Sequence, residues 1–319
     1  MQAVVYREGR VDLDSAYPDP TPQADDVLIR VSQAGICSTD LEIIKGYMGF
    51  SGVLGHEFVG QVVKGPRNLV NQRVVGSINC ICGKCDMCMS GLSEHCRQRT
   101  VIGIDHRDGA FAEFLSLPAR NIHVLPDSIS DDQAVFIEPL AAACQIVQQL
   151  RIEPRDRVLV IGDGRLGLLV VQVLARRGGK ENVALLGKHE NKLAFCEKRH
   201  IPCYLLSDML FKAEWDIVVD CTGSPQGFAT ACRLLRPRGQ LILKSTFHTD
   251  QPIDLSPLVI NEINLIGSRC GPFPEAIRTL MAGEVQVDDL ITARYPLTNA
   301  ATALQNAAQS EHIKILLQC

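Results

Sequence analysis

Thiols carry the first chemical signal in this chain. Five of its thirteen cysteines fall between Cys80 and Cys96, and four of them are spaced Cys82-x2-Cys85-x2-Cys88-x7-Cys96. Four thiolates in so short a loop can close a tetrahedral zinc shell with no open position, the arrangement of a structural ion. A zinc ribbon differs, because it sets two C-x2-C knuckles across a longer gap. A disulfide pair or an iron–sulfur cluster would draw on the same residues, and Cys80 is left as a spare thiol. Upstream, Gly35-Ile36-Cys37-Ser38-Thr39-Asp40 and Gly55-His56-Glu57 bring together groups able to bind a metal or move a proton. Each is short enough to arise by chance, and a His beside a Glu is more often a satisfied core or surface residue than a ligand. What gives them weight is their order: Cys37, then Gly-His-Glu, then the four-cysteine lobe, then a glycine loop.

That loop is Gly162-Asp163-Gly164-Arg165-Leu166-Gly167, a G-x-G-x-x-G pattern. It follows the wholly apolar run Val158-Leu159-Val160-Ile161 and opens a helical stretch, the context in which such glycines allow a backbone to approach a pyrophosphate. The helix N-terminus then offers unpaired N–H groups and a positive dipole end to the phosphates. About twenty residues on, an NAD-type site should present Asp or Glu to the adenosine ribose. This chain has Leu186-Gly187-Lys188-His189 there. With Gly187 leaving room and Lys188, His189 and Arg165 supplying positive charge, the expectation is NADP(H) favoured over NAD(H); the alternative is a solvated lysine with Glu190 supplying the acid.

The elements that must hold these groups read in two styles. Up to about Phe114 the chain is strand-rich, with Val27–Val31 and Phe58–Val63 as β-branched runs bounded by turn residues. From Asp131 a helical period begins, and apolar strands then alternate with helices: 158–161, 182–186, 216–220 and 240–243, with a helix over 166–177. Such strands predict a parallel sheet covered on both faces. The tail, ending Ile313-Lys314-Ile315-Leu316-Leu317, is expected to rejoin the first part. The fold class is α/β, with a β-rich domain over 1–137 and 272–319 and a doubly wound domain over 138–271. A formal charge of −4 argues against nucleic-acid binding. No apolar run is long enough to span a bilayer. The odd cysteine count and a start that reads as an immediate strand point to a reducing, cytoplasmic setting. There Cys196 and Cys232 would serve as small buried hydrophobes.

The order of motifs resembles the zinc-containing medium-chain dehydrogenases over essentially the whole chain. Ile137-Glu138-Pro139-Leu140 sits where that family places its next zinc-site segment, and Gly267-Ser268-Arg269 onward is similar to its closing section. Glu138, where the better-known alcohol dehydrogenases have a cysteine, resembles the sorbitol, threonine and glucose dehydrogenase branch. The resemblance implies a GroES-like catalytic domain, a Rossmann cofactor domain, and two zinc ions per chain. One ion would be structural on Cys82, Cys85, Cys88 and Cys96. The other would be catalytic on Cys37, His56 and one or both of Glu57 and Glu138, with water or substrate completing the shell. It further implies that Thr39 relays the proton and that Asp40 orients the ligand histidine. The activity implied is hydride transfer between a small alcohol, aldehyde or ketone and a nicotinamide, in a homodimer or homotetramer. The sequence departs from the pattern in three respects: the relay histidine would fall near Glu42, the ribose carboxylate is missing, and the stretch from Cys96 to Glu138 is short. A zinc-free enone or quinone reductase would lack the ligand set, whereas a non-catalytic protein that kept the fold would not be excluded by fold alone.

Overall fold

The computed structural model describes residues 1–246 and 252–319. The chain divides into two compact units, Met1–Glu138 with Val287–Cys319, and Pro139–Gln286. The second crossing falls beyond the expected 271/272, because the helix Phe273–Met281 packs with the second unit. Its Glu275 meets Arg177 at 2.8 Å, and just beyond it Gln286 donates its N–H to Gln172 Oε1 at 3.0 Å.

The first unit is built on a seven-stranded sheet. Its axis is Asp26–Gly35, in which Val27, Ile29 and Val31 alternate inward at the two-residue period of a strand. This strand pairs antiparallel with Glu57–Lys64, and the tail strand Lys314–Gln318 pairs antiparallel with its last residues. Gly35 stands opposite Glu57 in one register and Leu316 in the other. One strand end therefore gathers three segments remote in sequence: the Cys37 turn, the Gly-His-Glu segment and the chain's tail. The short helix Ser38–Ile44 starts directly at that end, with Cys37 in its N-cap position.

In the second unit six strands run parallel in the order Cys203–Leu205, Val183–Gly187, Val158–Ile161, Trp215–Asp220, Leu235–Leu243, Asn264–Gly267. This is the order of a doubly wound dinucleotide-binding sheet, which reverses direction at its first strand. Val158–Ile161 is buried throughout, as a strand covered on both faces must be. Leu159, Ala184, Trp215, Phe228 and Leu241 fill the core on one face. The glycine loop leaves the C-terminal end of Val158–Ile161, the end at which such sheets bind ligands.

Candidate active site and metal centres

Cys37, His56 and Glu57 offer ligand atoms that all lie within 4.8 Å of one another. Asp40 ties two of these segments together while fully buried. Its Oδ2 accepts the Cys37 N–H at 2.7 Å, and its Oδ1 stands 3.3 Å from His56 Nδ1. With Nδ1 facing a carboxylate, Nε2 is the imidazole nitrogen left for a metal, the arrangement by which a carboxylate fixes the tautomer of a ligand histidine. Burial opposes protonation of His56, but the charges of Asp40 and Cys37 outweigh it and lift the imidazole well above its usual value. The donor set thus attracts positive charge at the place where a cation would sit. Thr39 Oγ1 lies 3.7 Å from Cys37 Sγ. Glu42, one helical turn on, pairs with Lys45 at 2.8 Å. Glu138 opens the helix Ile137–Gln149 half-buried and does not join the cluster at the 4.8 Å limit.

Behind the cluster, Lys314 Nζ contacts the Glu57 carboxylate, and neither side chain has any exposed surface. Nζ also reaches the Ile36 carbonyl oxygen at 3.3 Å. Burial pushes this ammonium down to about 8, opposed by the charges of Cys37 and Asp40. Oε2 of Glu57 is held by the Lys314 ammonium, whereas Oε1 has no hydrogen-bond partner among the described residues. A buried carboxylate with unused lone pairs suits a cation held between it, Cys37 and His56.

The four lobe cysteines likewise bring their Sγ atoms within 4.8 Å of one another. Cys85 Sγ lies 3.5 Å from Cys88 Sγ and 3.8 Å from Cys96 Sγ, and all thirteen cysteines of the chain are thiols rather than disulfides. Backbone N–H groups of Cys82 and Gln98 point at Cys96 Sγ at 3.3 and 3.4 Å. The backbone N–H groups of Arg97 and Cys88 draw the Cys85 thiol down to about 6. Burial and the neighbouring thiols push Cys88 up to about 12. Thiolates so close repel one another, and a divalent cation relieves that repulsion, so the residues fit a closed zinc site. Cys80 stays outside the cluster as a buried thiol, pushed up to about 11 by burial. Cys196 and Cys232 are buried too.

The glycine loop is built for close approach. Gly162 has φ +111°, and a Cβ on Gly167 would lie 1.8 Å from the Gly162 carbonyl oxygen. Gly164 caps the helix Arg165–Gly178, and a Cβ there would meet nothing within 4 Å. The cradle is therefore open on one side and tight on the other, as a backbone that must touch a phosphate requires. At the end of the next strand, Gly187 is buried and Lys188 is exposed.

Residues 23–127 match the alcohol dehydrogenase GroES-like domain, and residues 166–283 match the zinc-binding dehydrogenase domain. D-arabitol-phosphate dehydrogenase of Enterococcus avium is 30% identical, with the alignment covering 96% of this chain and 93% of that protein. The chain belongs to the zinc-containing medium-chain dehydrogenases. Two solved structures share the fold of this dehydrogenase with a TM-score of 0.89, each covering 100% of this chain and 99% of its own. One is a zinc-binding dehydrogenase from Sinorhizobium meliloti bound to NADP, 27% identical, and the other an alcohol dehydrogenase from Escherichia coli complexed with NADH, 26% identical.

Two residues of this dehydrogenase escape a reading of motifs. Lys314 sits in an apolar tail strand, where a charged residue within a run of Ile and Leu is the only local sign that it pairs inside the core. Asp163, between two of the loop glycines, turns its carboxylate to the end of Val183–Gly187. Its Oδ2 accepts the N–H groups of Lys188 and His189 at 2.6 and 2.7 Å and lies 3.0 Å from His189 Nδ1. Favouring NADP(H) requires His189 as a donor to a 2′-phosphate. In the folded chain its ring and backbone N–H, and the backbone N–H of Lys188, already face a carboxylate.

Proposed function

We propose that the chain is a zinc-dependent alcohol dehydrogenase that exchanges a hydride between a polyol-like secondary alcohol and a nicotinamide dinucleotide. The observation that carries this reading is the convergence of Cys37, His56 and Glu57 within 4.8 Å, with Asp40 behind the histidine. Cys37 and His56 would hold the catalytic ion with Glu57, Glu138 or both, and Cys82, Cys85, Cys88 and Cys96 would hold the structural one. When bound, the catalytic zinc supplies a Lewis acid that acidifies an alcohol hydroxyl or polarises a carbonyl. Thr39, with Oγ1 3.7 Å from Cys37 Sγ, would relay the hydroxyl proton by taking it up as it passes its own on. Glu42 lies three residues on, on the same helix face, and can pass that proton to water in place of the histidine relay. Asp40 keeps His56 oriented, and Gly162, Gly164 and Gly167 would carry the pyrophosphate. The similarity to D-arabitol-phosphate dehydrogenase supports polyols as the substrate class. Thirteen thiols without a disulfide suit a reducing cytoplasm. A zinc-free enone or quinone reductase would have no use for this donor set.

The test couples metal analysis to turnover. The purified protein should contain two zinc ions per chain, matching the two donor clusters, and should oxidise alcohols from a polyol panel. Cys37→Ser should abolish turnover and leave nucleotide binding intact. A metal-free preparation that keeps full activity would overturn the reading.

A further inference from the structure

The end of Val183–Gly187 is the place where dinucleotide-binding sheets offer a carboxylate to the adenosine ribose. Here that residue is Gly187, and space rather than chance excludes a side chain. A Cβ on Gly187 would lie 2.6 Å from Asp163 Oδ2, 2.8 Å from Asp163 Cβ and 2.8 Å from Leu193 Cδ2. The missing acid is thus replaced within the fold: the volume it would enter is filled by a carboxylate from the glycine loop.

We propose that Asp163 reads the adenosine ribose of the dinucleotide, accepting its hydroxyls and turning away a 2′-phosphate, so that the chain selects NAD(H) over NADP(H). The inference rests on the dehydrogenase reading above and deepens it. Three observations support it. The backbone donors that could hold a phosphate at this strand end, Lys188 N–H and His189 N–H, are taken by Asp163, and His189 Nδ1 lies 3.0 and 3.1 Å from its two oxygens. Oδ2 carries most of these contacts, and an ionised carboxylate has about four acceptor sites, so Oδ1 keeps capacity for a ribose hydroxyl. The carboxylate is ionised: burial raises its pKa, but the hydrogen bonds from His189 and Lys188 outweigh burial and hold it below the usual range.

Of the nearby cations, Lys192 is coupled to the Asp163 charge. Lys192 is 6% exposed; burial pulls its ammonium down, the charge of Asp163 pulls it up and Arg165 opposes it. Lys188 is exposed, so water and salt screen its attraction for a phosphate. A dianionic phosphate brought against the Asp163 carboxylate would meet a like charge and three occupied donors. A ribose diol would meet an acceptor.

Adenosine nucleotides test this without zinc, substrate or turnover. Calorimetry on the full chain compares 5′-AMP with adenosine 2′,5′-bisphosphate, which differ only by the phosphate in question. The wild type should bind 5′-AMP more tightly by about tenfold or more, the scale of one lost charge-assisted contact. Asp163→Asn should narrow that ratio, and kcat/KM for NAD against NADP should shift in the same sense. Lys188→Ala should leave the ratio in place. A wild type that prefers the bisphosphate overturns the inference, even if Asp163→Asn fails to fold. So does a folded Asp163→Asn with an unchanged ratio. Binding of neither nucleotide overturns the dinucleotide reading of the loop along with it.

Discussion

The two side chains that motif reading passed over are both charged, both buried, and both partnered across long sequence distances. Lys314 and Glu57 form an ion pair with no exposed surface. Removing one member leaves the other charge buried without compensation, which typically costs about 3–5 kcal/mol. Lys314→Met should therefore lower the urea midpoint strongly, and Glu57→Gln in the same chain should recover part of the loss. A single Lys314→Met as stable as the wild type would mean that Glu57 is charge-balanced from elsewhere. Asp163 makes a pH-dependent contribution whose sign follows from its depressed pKa. The unfolded chain takes up this proton at the ordinary aspartate value of about 3.9, whereas the folded chain resists it to lower pH. The stabilisation is complete above that value and is lost as pH falls through the folded pKa. The stability gap between wild type and Asp163→Asn, about 1–3 kcal/mol at neutral pH, should shrink steadily below about pH 4. A gap that stays constant between pH 7 and pH 3 would contradict the ionised Asp163.

At the level of elements, the loop after Val158–Ile161 has the least tolerance for change. A methyl on Gly167 would lie 1.8 Å from the Gly162 carbonyl oxygen, and a backbone atom cannot yield as a side-chain end does. Gly167→Ala should push the helix Arg165–Gly178 off the strand and abolish nucleotide binding. Zinc content should not fall, because every proposed ligand lies in the first unit. Loss of zinc with the nucleotide would show that the units do not fold separately. This loop was legible in the sequence because its information is local: an apolar run, three glycines, then a helical period. The four-cysteine lobe was legible for the same reason. The tail strand showed as a strand, but not its register, because pairing Leu316 with Gly35 leaves no mark in either segment alone. The unit boundary near 286 was illegible since the helix Phe273–Met281 has an apolar face that could cover either sheet. The direction of Asp163 was hidden by a separation of 25 residues from Lys188, although Gly187, with no side chain where one was expected, was its trace.

For the molecule as a whole, the second unit leaves one side of its sheet unfinished. Asn264–Gly267 pairs only with Leu235–Leu243 among the described residues, so its outer N–H and C=O groups form an open edge. Natural edges are usually protected by lysine, proline or a bulge. Asn264-Leu265-Ile266-Gly267 has none of these, and the apolar surface continues beside it. Val259 and Ile260, on the helix Ser256–Ile260, are 78% and 77% exposed, with Leu255 and Leu265 also open. An unprotected edge flanked by apolar side chains is a poor surface to leave in water. A second copy of the chain would complete it: two identical edges related by a twofold axis run antiparallel and continue the sheet, a self-complementary contact that uses this edge of both copies. We therefore expect a homodimer through this edge, with a tetramer requiring a second surface. Light scattering on the wild type should give the dimer mass. Ile260→Asp combined with Leu265→Lys should give a monomer with unchanged circular dichroism, since both side chains are exposed. A wild type that stays monomeric at working concentration, or a double variant that remains dimeric, would rule out this edge as the interface.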